Sequence, residues 1–300
     1  MLFDLSERAK LRLTGSDRVR FLNGQVTNDV RKANANLSMS ACVLNAKGKI
    51  DALIFVSANQ EELFVDAERE QRETLAARLE RYVIADDVTI EDVTEKFALF
   101  HILDESAPDL PNDGHWRRAK RFGLAGWDLV VTAGERDAVL QSLGASYSSG
   151  SAEEAERFRI EQGVPRWGRE LNDQIIPVEA NLADEAIDYA KGCYIGQEVI
   201  SRMKMSGQTN KRLCGLVAVD DIPLSTAMRL FAGNAVAGIA DPGKEIGWMT
   251  SATRSERLEK EIALGFVKRG WNKIGTQLAA RSPNEPASAT AVEIVALPFA

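Results

Sequence analysis

The stretch SMSACVLNAKGKIDALIFVSANQEELFVDAE, residues 38–68, contains three short apolar segments separated by two turn signals. The turns are AKGK (46–49) and NQ (59–60), and the apolar segments have the length and composition of β-strands. Glycine, asparagine and charged residues in such short connections are typical of hairpin turns. The stretch therefore predicts a three-stranded β-meander.

Helices and further strands surround this meander. AKLRLTG (9–15) alternates like a strand, and a helical pattern follows it. After the meander, residues 68–84 predict a helix with Leu75, Leu79 and Tyr82 on one face. Strands and helices mixed in this order favour an α+β fold over a doubly wound sheet.

Two changes of character along the chain suggest domain boundaries. Residues 164–191 predict a long irregular segment, and such ordered loops often carry function. From Leu213 onward, short apolar strands alternate with turn signals, which predicts an all-β barrel or sandwich. We expect an N-terminal α+β region over 1–150, a second segment over 151–212 and a C-terminal barrel over 213–300.

Composition excludes several classes of protein. The chain has 300 residues, 45% of them hydrophobic and 27% charged, as in ordinary globular proteins. No run of about 18 apolar residues predicts a membrane span, and the N-terminus lacks the pattern of a signal peptide. We expect a cytoplasmic monomer without membrane contact.

Cysteine and histidine are scarce. The three cysteines show no CxxC spacing, which argues against a disulfide framework and a structural zinc site. Two histidines in unrelated positions argue against a histidine-based metal site and a Ser-His-Asp triad. We therefore expect no resident metal.

Cys193 lies in KGCYIGQEVISRMK (191–204), directly before a helix-like run. A thiol near a helix N-terminus and beside Lys191 would have its thiolate favoured by the helix dipole and the cation. The alternative is a small, buried and inert cysteine, and the residues alone leave both readings open. Cys42 and Cys214 fall inside apolar strand patterns, which predicts inert thiols.

KGCYIGQE resembles the signature of the folate-binding YgfZ-type proteins, relatives of the aminomethyltransferase (T-protein) of the glycine cleavage system. Further resemblances follow in order along nearly the whole chain: GSDRVRFLNGQVTNDV (15–30), KGKIDALIFV (47–56), RIEQGVPRWGRE (159–170) and IPVEANL (176–182).

This resemblance implies an α+β fold of T-protein-like folate-binding domains around a central cavity, with a C-terminal all-β barrel. It implies tetrahydrofolate or another reduced folate as cofactor, and iron–sulfur client or assembly proteins as partners. The implied role is the assembly or repair of iron–sulfur clusters, with a link to tRNA modification through cluster-dependent enzymes. We expect an accessory factor rather than a turnover enzyme.

The resemblance also assigns residues. The functional thiol maps onto Cys193, held by Lys191 and Tyr194, and Gln197 and Glu198 complete the motif on the folate side. A transient contact between Cys193 and iron is the expected chemistry, because a thiolate can ligate iron.

A tetrahydrofolate-dependent aminomethyltransferase is the enzyme alternative. T-proteins resemble KGDFIGRE at the motif and carry paired aspartates in the hairpin, whereas this chain has Asp51 followed by Ala52. Glu179 stands where T-proteins place the carboxylate that reads the pterin, and its alternative is a solvated loop acid. Asp51 is a weaker candidate for contact with the folate, because aspartate beside a hairpin is often turn chemistry.

Two basic stretches permit a third reading, a tRNA-binding module. HWRRAKRF (115–122) and VISRMKMSGQTNKRL (199–213) each carry four cations and no anion. The cations of the second stretch could bind a polyglutamate tail, a phosphate backbone or an acidic client, or simply be solvated, and the first stretch interleaves Trp116 and Phe122 with cations, as single-strand binders do. RNA binding would weaken steeply with salt, and the net charge of −7 argues against direct RNA binding.

Overall fold

The computed structural model describes residues 1–106, 108, 116–233, 243–283 and 285–299, so His115 of the first basic stretch lies outside the described residues. The chain divides into two compact units. The first comprises Met1–Ala152, Asn172–Gln174 and Leu182–Arg202, and the second comprises Glu153–Leu171, Ile175–Asn181 and Met203–Ala300. The three-part division at 150/151 and 212/213 stays a prediction.

The first unit contains two antiparallel sheets. Their strands are β1 (Leu2–Asp4), β2 (Ala9–Thr14), β3 (Met39–Leu44), β4 (Ile50–Ala58), β5 (Leu63–Ala67), β6 (Thr89–Asp92), β7 (Phe97–Ile102), β8 (Arg117–Ala119) and β9 (Gly126–Thr132). One sheet has the order β3-β4-β5-β2-β6 and the other the order β1-β7-β9-β8. The predicted meander is confirmed as β3, β4 and β5.

Six α-helices occur in the described residues. They are α1 (Arg18–Gln25), α2 (Arg72–Glu80), α3 (Arg136–Gly144), α4 (Ala152–Glu161), α5 (Ala183–Ala186) and α6 (Gln197–Ser206). None of the described helices is long and apolar enough to cross a bilayer. The cytoplasmic location and the monomeric state stay predictions.

Helices α1 and α2 supply apolar side chains to the core of the five-stranded sheet. Leu22 of α1 and Leu75 and Leu79 of α2 are buried in one cluster with the inward residues of the strands. The prediction for Tyr82 was wrong: α2 ends at Glu80, and Tyr82 is 37% exposed. The chain leaves the helical path there, so the face that carries Leu75 and Leu79 does not continue to residue 82.

A buried arginine joins the two sheets of the first unit. Arg121 Nη2 lies 2.8 Å from Asp66 Oδ2 on β5 and 2.7 Å from Asp128 Oδ2 on β9. His101 on β7 donates its Nδ1 proton to Asp128 Oδ1 over 2.8 Å, since an ionised carboxylate can only accept. Breaking such a buried network strands an uncompensated charge, which typically costs several kcal/mol.

The second unit contains a closed six-stranded barrel. Its strands are β10 (Lys211–Ala218), β11 (Arg229–Ala232), β12 (Glu245–Ser255), β13 (Lys260–Lys268), β14 (Gln277–Ser282) and β15 (Glu285–Val295). They follow the order β10-β13-β12-β11-β14-β15, and β15 pairs with β10 to close the barrel. Closure removes the sheet edges and decides between the barrel and sandwich alternatives.

Helix α4 is fixed to this barrel by buried polar groups. Arg159 Nη1 donates to Glu170 Oε2 over 3.0 Å, and Arg159 Nη2 donates to Ser251 Oγ on β12 over 2.6 Å. Ser251 Oγ in turn donates to Glu170 Oε1 over 2.6 Å. All three side chains are buried, so the triad satisfies each charge and holds the loop that leads to residue 171.

The buried His101 predicts how stability depends on pH. Burial lowers the pKa of His101 below its ordinary value of 6.5, so the native state stays neutral while the unfolded chain takes up a proton. The free energy of unfolding should therefore fall as the pH drops below 6.5, by up to about 1.4 kcal/mol per pH unit. Urea unfolding between pH 7 and pH 5 measures this slope.

A His101→Asn variant keeps a donor near the Nδ1 position and removes the titration, so its slope over that range should be smaller. The matched control is His115→Asn, because these are the only two histidines of the chain. If His115→Asn abolished the slope and His101→Asn did not, the buried imidazole would not be its cause.

Candidate functional site

Cys193 lies on the surface of the first unit, in an irregular segment that precedes α6. Its side chain is exposed, so the alternative of a buried cysteine is wrong. The predicted helix is confirmed and begins at Gln197. The thiol makes no hydrogen bond with any described residue and is open to a partner.

Lys191 is a buried anchor. Its side chain is 6% exposed, and Nζ donates to the backbone oxygens of Asn23, Val26 and Asn28 over 2.6, 2.7 and 2.9 Å. An ammonium has three donors, so all of them are used. Burial lowers the pKa of Lys191 to about 8, although Asp29 and Asp188 counteract the shift. The lysine thus fixes the segment from one side of Cys193.

Tyr194 fixes the segment from the other side. Its side chain is 8% exposed, and Lys191 Nζ lies 5.1 Å from the centre of its ring, within the range of a cation–π contact. Burial raises the pKa of the Tyr194 phenol, so the hydroxyl is neutral at physiological pH. Two buried side chains therefore flank the exposed Gly192–Cys193 pair.

Two glycines let this segment approach the β3–β4 turn. Gly196 has φ +83°, and a Cβ there would lie 2.8 Å from the backbone oxygen of Asn45. Gly48 has φ +71°, and its Cβ would lie 2.8 Å from Val199 Cβ. Side chains at either position would collide, so the KGCYIGQE segment and the AKGK turn pack backbone to backbone.

Asp51 belongs to the same neighbourhood but is already paired. Its Oδ2 accepts from Arg78 Nε over 3.0 Å, and Asn45 Nδ2 lies 3.5 Å from its Oδ1. The side chain of Asp51 is 26% exposed, so a ligand would reach it only at the edge of this ion pair. Ala52, where T-proteins have a second aspartate, is buried in the apolar core.

The remaining motif residues differ in availability. The side-chain amide of Gln197 makes no hydrogen bond with a described residue, and the residue lies half-buried at the first turn of α6. Glu198 is exposed and lies 2.6 Å from Arg202 Nη2 one turn along the helix. Exposed ion pairs of this kind contribute little to stability. Because Glu198 is exposed and already paired, it is a weaker candidate for a cofactor contact than Gln197.

Glu179 lies in the second unit, in a 3₁₀ helix (Pro177–Ala180), and is 3% exposed. The alternative of a solvated loop acid is therefore wrong. Its Oε2 accepts from the Ile176 N–H over 3.2 Å and lies 3.5 Å from Lys211 Nζ. Its Oε1 has no hydrogen-bond partner among the described residues. One acceptor of a buried carboxylate is left for a ligand.

Several cations of the second basic stretch, 199–213, contact other residues of the same chain. Lys211 pairs with Glu179 and lies 5.7 Å from the ring centre of Trp248, while Arg212 Nε donates to Asn181 Oδ1 over 2.8 Å. With Arg202 paired to Glu198, the stretch is not a continuous row of free cations. This weakens the reading of a phosphate-binding surface.

The other two cysteines are buried, as predicted. Burial raises the pKa of Cys42 to about 12 and that of Cys214 to about 11. Neither thiol ionises at physiological pH. Within the described ranges, no group of three or more His, Cys, Asp or Glu side chains could hold a metal ion.

Sequence reasoning missed Arg78 and assigned no partner to Lys211. Arg78 binds Asp51 and the backbone oxygen of Leu44 and stacks on Tyr82, with its Cζ 4.3 Å from the ring centre. Nothing in the helical pattern of 68–84 distinguished this arginine. Lys211 was visible as a cation in a basic stretch, but only the fold brings it to Glu179.

Two protein-family models match this chain. The GCVT N-terminal domain matches residues 1–109, and the glycine cleavage T-protein C-terminal barrel domain matches residues 211–299. Together they cover more than half of the sequence. The chain belongs to the YgfZ/GcvT family.

Relatives in this family bear different names. An iron–sulfur cluster assembly factor IBA57 homolog, mitochondrial, from Dictyostelium discoideum is 25% identical over 75% of this chain and 64% of its own length, less than two thirds. An aminomethyltransferase from Synechocystis is 26% identical over 92% of this chain and 80% of its own. A tRNA-modifying protein YgfZ from Sodalis glossinidius is 29% identical over 70% of this chain and 69% of its own length.

A solved structure supports the fold. The glycine cleavage system aminomethyltransferase T from Bartonella henselae is similar over 100% of this chain and 86% of its own, with a TM-score of 0.84 and 17% identity. The predicted fold is confirmed as T-protein-like, with GCVT domains and a closed C-terminal barrel. The central cavity expected for the YgfZ/GcvT family stays a prediction.

The Lys191 anchor generates a stability prediction. Lys191→Met fills a similar volume but leaves three backbone oxygens without their donor, so the free energy of unfolding should fall by about 2–4 kcal/mol. Urea denaturation measures the change. Arg202→Met on the exposed face of α6 is the control and should change it by less than about 0.5 kcal/mol. Equal effects of the two variants would contradict the anchoring role.

Proposed function

We propose that this chain is a folate-binding accessory factor for the assembly or repair of iron–sulfur clusters, with Cys193 as its functional thiol. Its effect on tRNA modification would be indirect, through enzymes that need a cluster. The assembly-factor and YgfZ relatives support this role, and the T-protein-like fold is compatible with it.

One observation carries the proposal: an exposed cysteine between two buried, anchored residues. Lys191 and Tyr194 pack into the first unit, while Gly192 and Cys193 stay in solvent. A packing cysteine would be buried, whereas this one is exposed between two side chains that are fixed in the first unit. The arrangement presents the sulfur at a defined place on the surface, as a group that must meet a macromolecular partner requires.

The chemistry open to Cys193 is transient ligation of iron as cargo. The sulfur donates an electron pair to iron, and the thiol proton leaves to solvent. A single thiol cannot hold a cluster alone, so the other iron ligands must come from the cluster or the client protein. The exposed position of Cys193 suits such a shared, short-lived contact.

The residues present fit a folate. A pterin carries amide and amine donors, and Oε1 of Glu179, in a residue that is 3% exposed, is an acceptor without a hydrogen-bond partner within the described chain. Lys211 Nζ lies 3.5 Å from the other oxygen, Oε2, of the same carboxylate. A reduced folate would supply a one-carbon or redox function, and tetrahydrofolate is the form we propose. The folate-side roles of Gln197 and Asp51 stay predictions.

The aminomethyltransferase alternative is less well supported by the residues. The named relatives include such enzymes, yet the position that follows Asp51 is an alanine packed in the core. The carboxylate of Asp51 is already engaged in an ion pair with Arg78. Direct tRNA binding is weaker still, because three of the cations in 199–213 are engaged by groups of the chain itself.

The proposal predicts the result of a complementation experiment. Cells that lack their own YgfZ-type protein are given this chain, and the activity of a cluster-dependent enzyme is measured at equal expression. Wild type should restore activity, whereas Cys193→Ala and Cys193→Ser should stay at the level of an empty vector. Both variants alter an exposed side chain, so their melting temperatures should match that of the wild type.

Cys214→Ala is the matched control, because it removes a buried thiol with a raised pKa. It should rescue like the wild type once its folding has been verified. Full rescue by Cys193→Ala would reject the thiol chemistry. If even the wild type failed, substantial transfer of a lipoyl-linked aminomethyl group to tetrahydrofolate in vitro would favour the enzyme alternative.

The folate contact is tested by Glu179→Gln. Glutamine can still accept the Ile176 N–H through its oxygen, but it places a donor where Oε1 accepts. Calorimetric titration with 5-formyltetrahydrofolate should show affinity reduced about tenfold or more. Glu256→Gln, an exposed carboxylate of the same unit, should leave the affinity unchanged. Equal affinity of wild type and Glu179→Gln would remove Glu179 from the site.

A further inference from the structure

A small pocket in the first unit is lined by none of the residues of the proposed thiol and folate sites. It has a volume of about 120 Å³ and opens where the β4–β5 hairpin meets β7, β8 and β9. Phe64 and Phe97 form part of its wall, with ring centres 5.9 Å apart in an edge-to-face arrangement. The wall offers apolar surface for a body of a few non-hydrogen atoms.

Two polar groups in this pocket lack partners among the residues that the structure describes. The guanidinium of Arg117 on β8 makes no hydrogen bond or ion pair with the described part of the chain, although its Nε and Nη1 are buried. The hydroxyl of Ser57 on β4 also makes no hydrogen bond there, and its residue is 3% exposed. Both groups line the same pocket, and buried guanidinium nitrogens are normally paired, so this arginine is an exception that points to an absent acceptor.

The carboxylates nearby are already used. Glu62 also lines the pocket, but its Oε1 accepts from Asn59 Nδ2 over 3.3 Å and its Oε2 lies 3.8 Å from Arg12 Nη1. Asp66 and Asp128 are shared with Arg121. Burial lowers the pKa of Arg117 despite the attraction of these three acids, which means that its charge is not fully compensated.

We infer that this pocket binds a small carboxylate, whose oxygens accept from Arg117 and Ser57 while a short apolar body lies against Phe64 and Phe97. A monoanion suits the site better than a phosphate dianion, because Glu62 lines the same pocket and would repel the second charge. The inference is independent of the proposed folate and cluster functions.

Propanoate is the probe and propanamide its neutral analogue of equal shape. A titration of the full chain, followed by saturation-transfer NMR, should give saturable propanoate binding in the millimolar range expected for so small a ligand. Propanamide should bind about tenfold more weakly or not at all, because it lacks the charge that the guanidinium requires. This comparison needs no variant, so it cannot fail through misfolding.

Variants locate the site. Arg117→Leu should weaken propanoate binding about tenfold and Ser57→Ala about threefold. The control is Arg118→Leu, the next residue of β8, which is exposed and lies over the ring of Trp127. It should change the affinity by less than about twofold. Equal binding of propanamide, no saturable propanoate binding, or unchanged affinity in Arg117→Leu would each overturn the inference.

Discussion

A buried ammonium must find acceptors, and the one on Lys191 finds three backbone oxygens. Two of them belong to the last turn of α1 and to the residue that follows it, where a helix leaves carbonyls without intrahelical partners. The same ammonium therefore caps the C-terminal end of α1, hydrogen-bonds a backbone oxygen of the irregular chain beyond the helix, and fixes the segment that carries Cys193. The exposure of the thiol follows from the burial of its neighbour.

Much of the fold could be predicted from the sequence. Alternating apolar segments and turn signals located the meander, and the change at Leu213 located the barrel, because these features depend on local pattern. Tyr82 shows the limit: a helical face drawn through three residues cannot tell where the helix ends. Whether the C-terminal strands form a barrel or a sandwich depends on the pairing of β10 with β15, a non-local contact.

The site was only partly predictable for the same reason. The motif KGCYIGQE indicated Cys193. The position of the thiol, however, depends on hydrogen bonds from the neighbouring Lys191 to residues more than 150 positions away. Burial of Glu179 and its pairing with Lys211 likewise arise only in the folded unit. The ion pair between Asp51 and Arg78 was not foreseen, since charge alone does not reveal a partner. Sequence identified the chemical groups, and the fold determined which of them remain available.

The close packing of Gly48 and Gly196 has a consequence for how this surface can evolve. A Cβ at position 48 would lie 2.8 Å from Val199 Cβ, so shortening Val199 to alanine would not relieve the contact. Both glycines also have a positive φ, which other residues adopt only with strain even where there is room. Glycine at 48 and at 196 is therefore fixed by the backbone as well as by the space, and a compensating change on α6 cannot release either position.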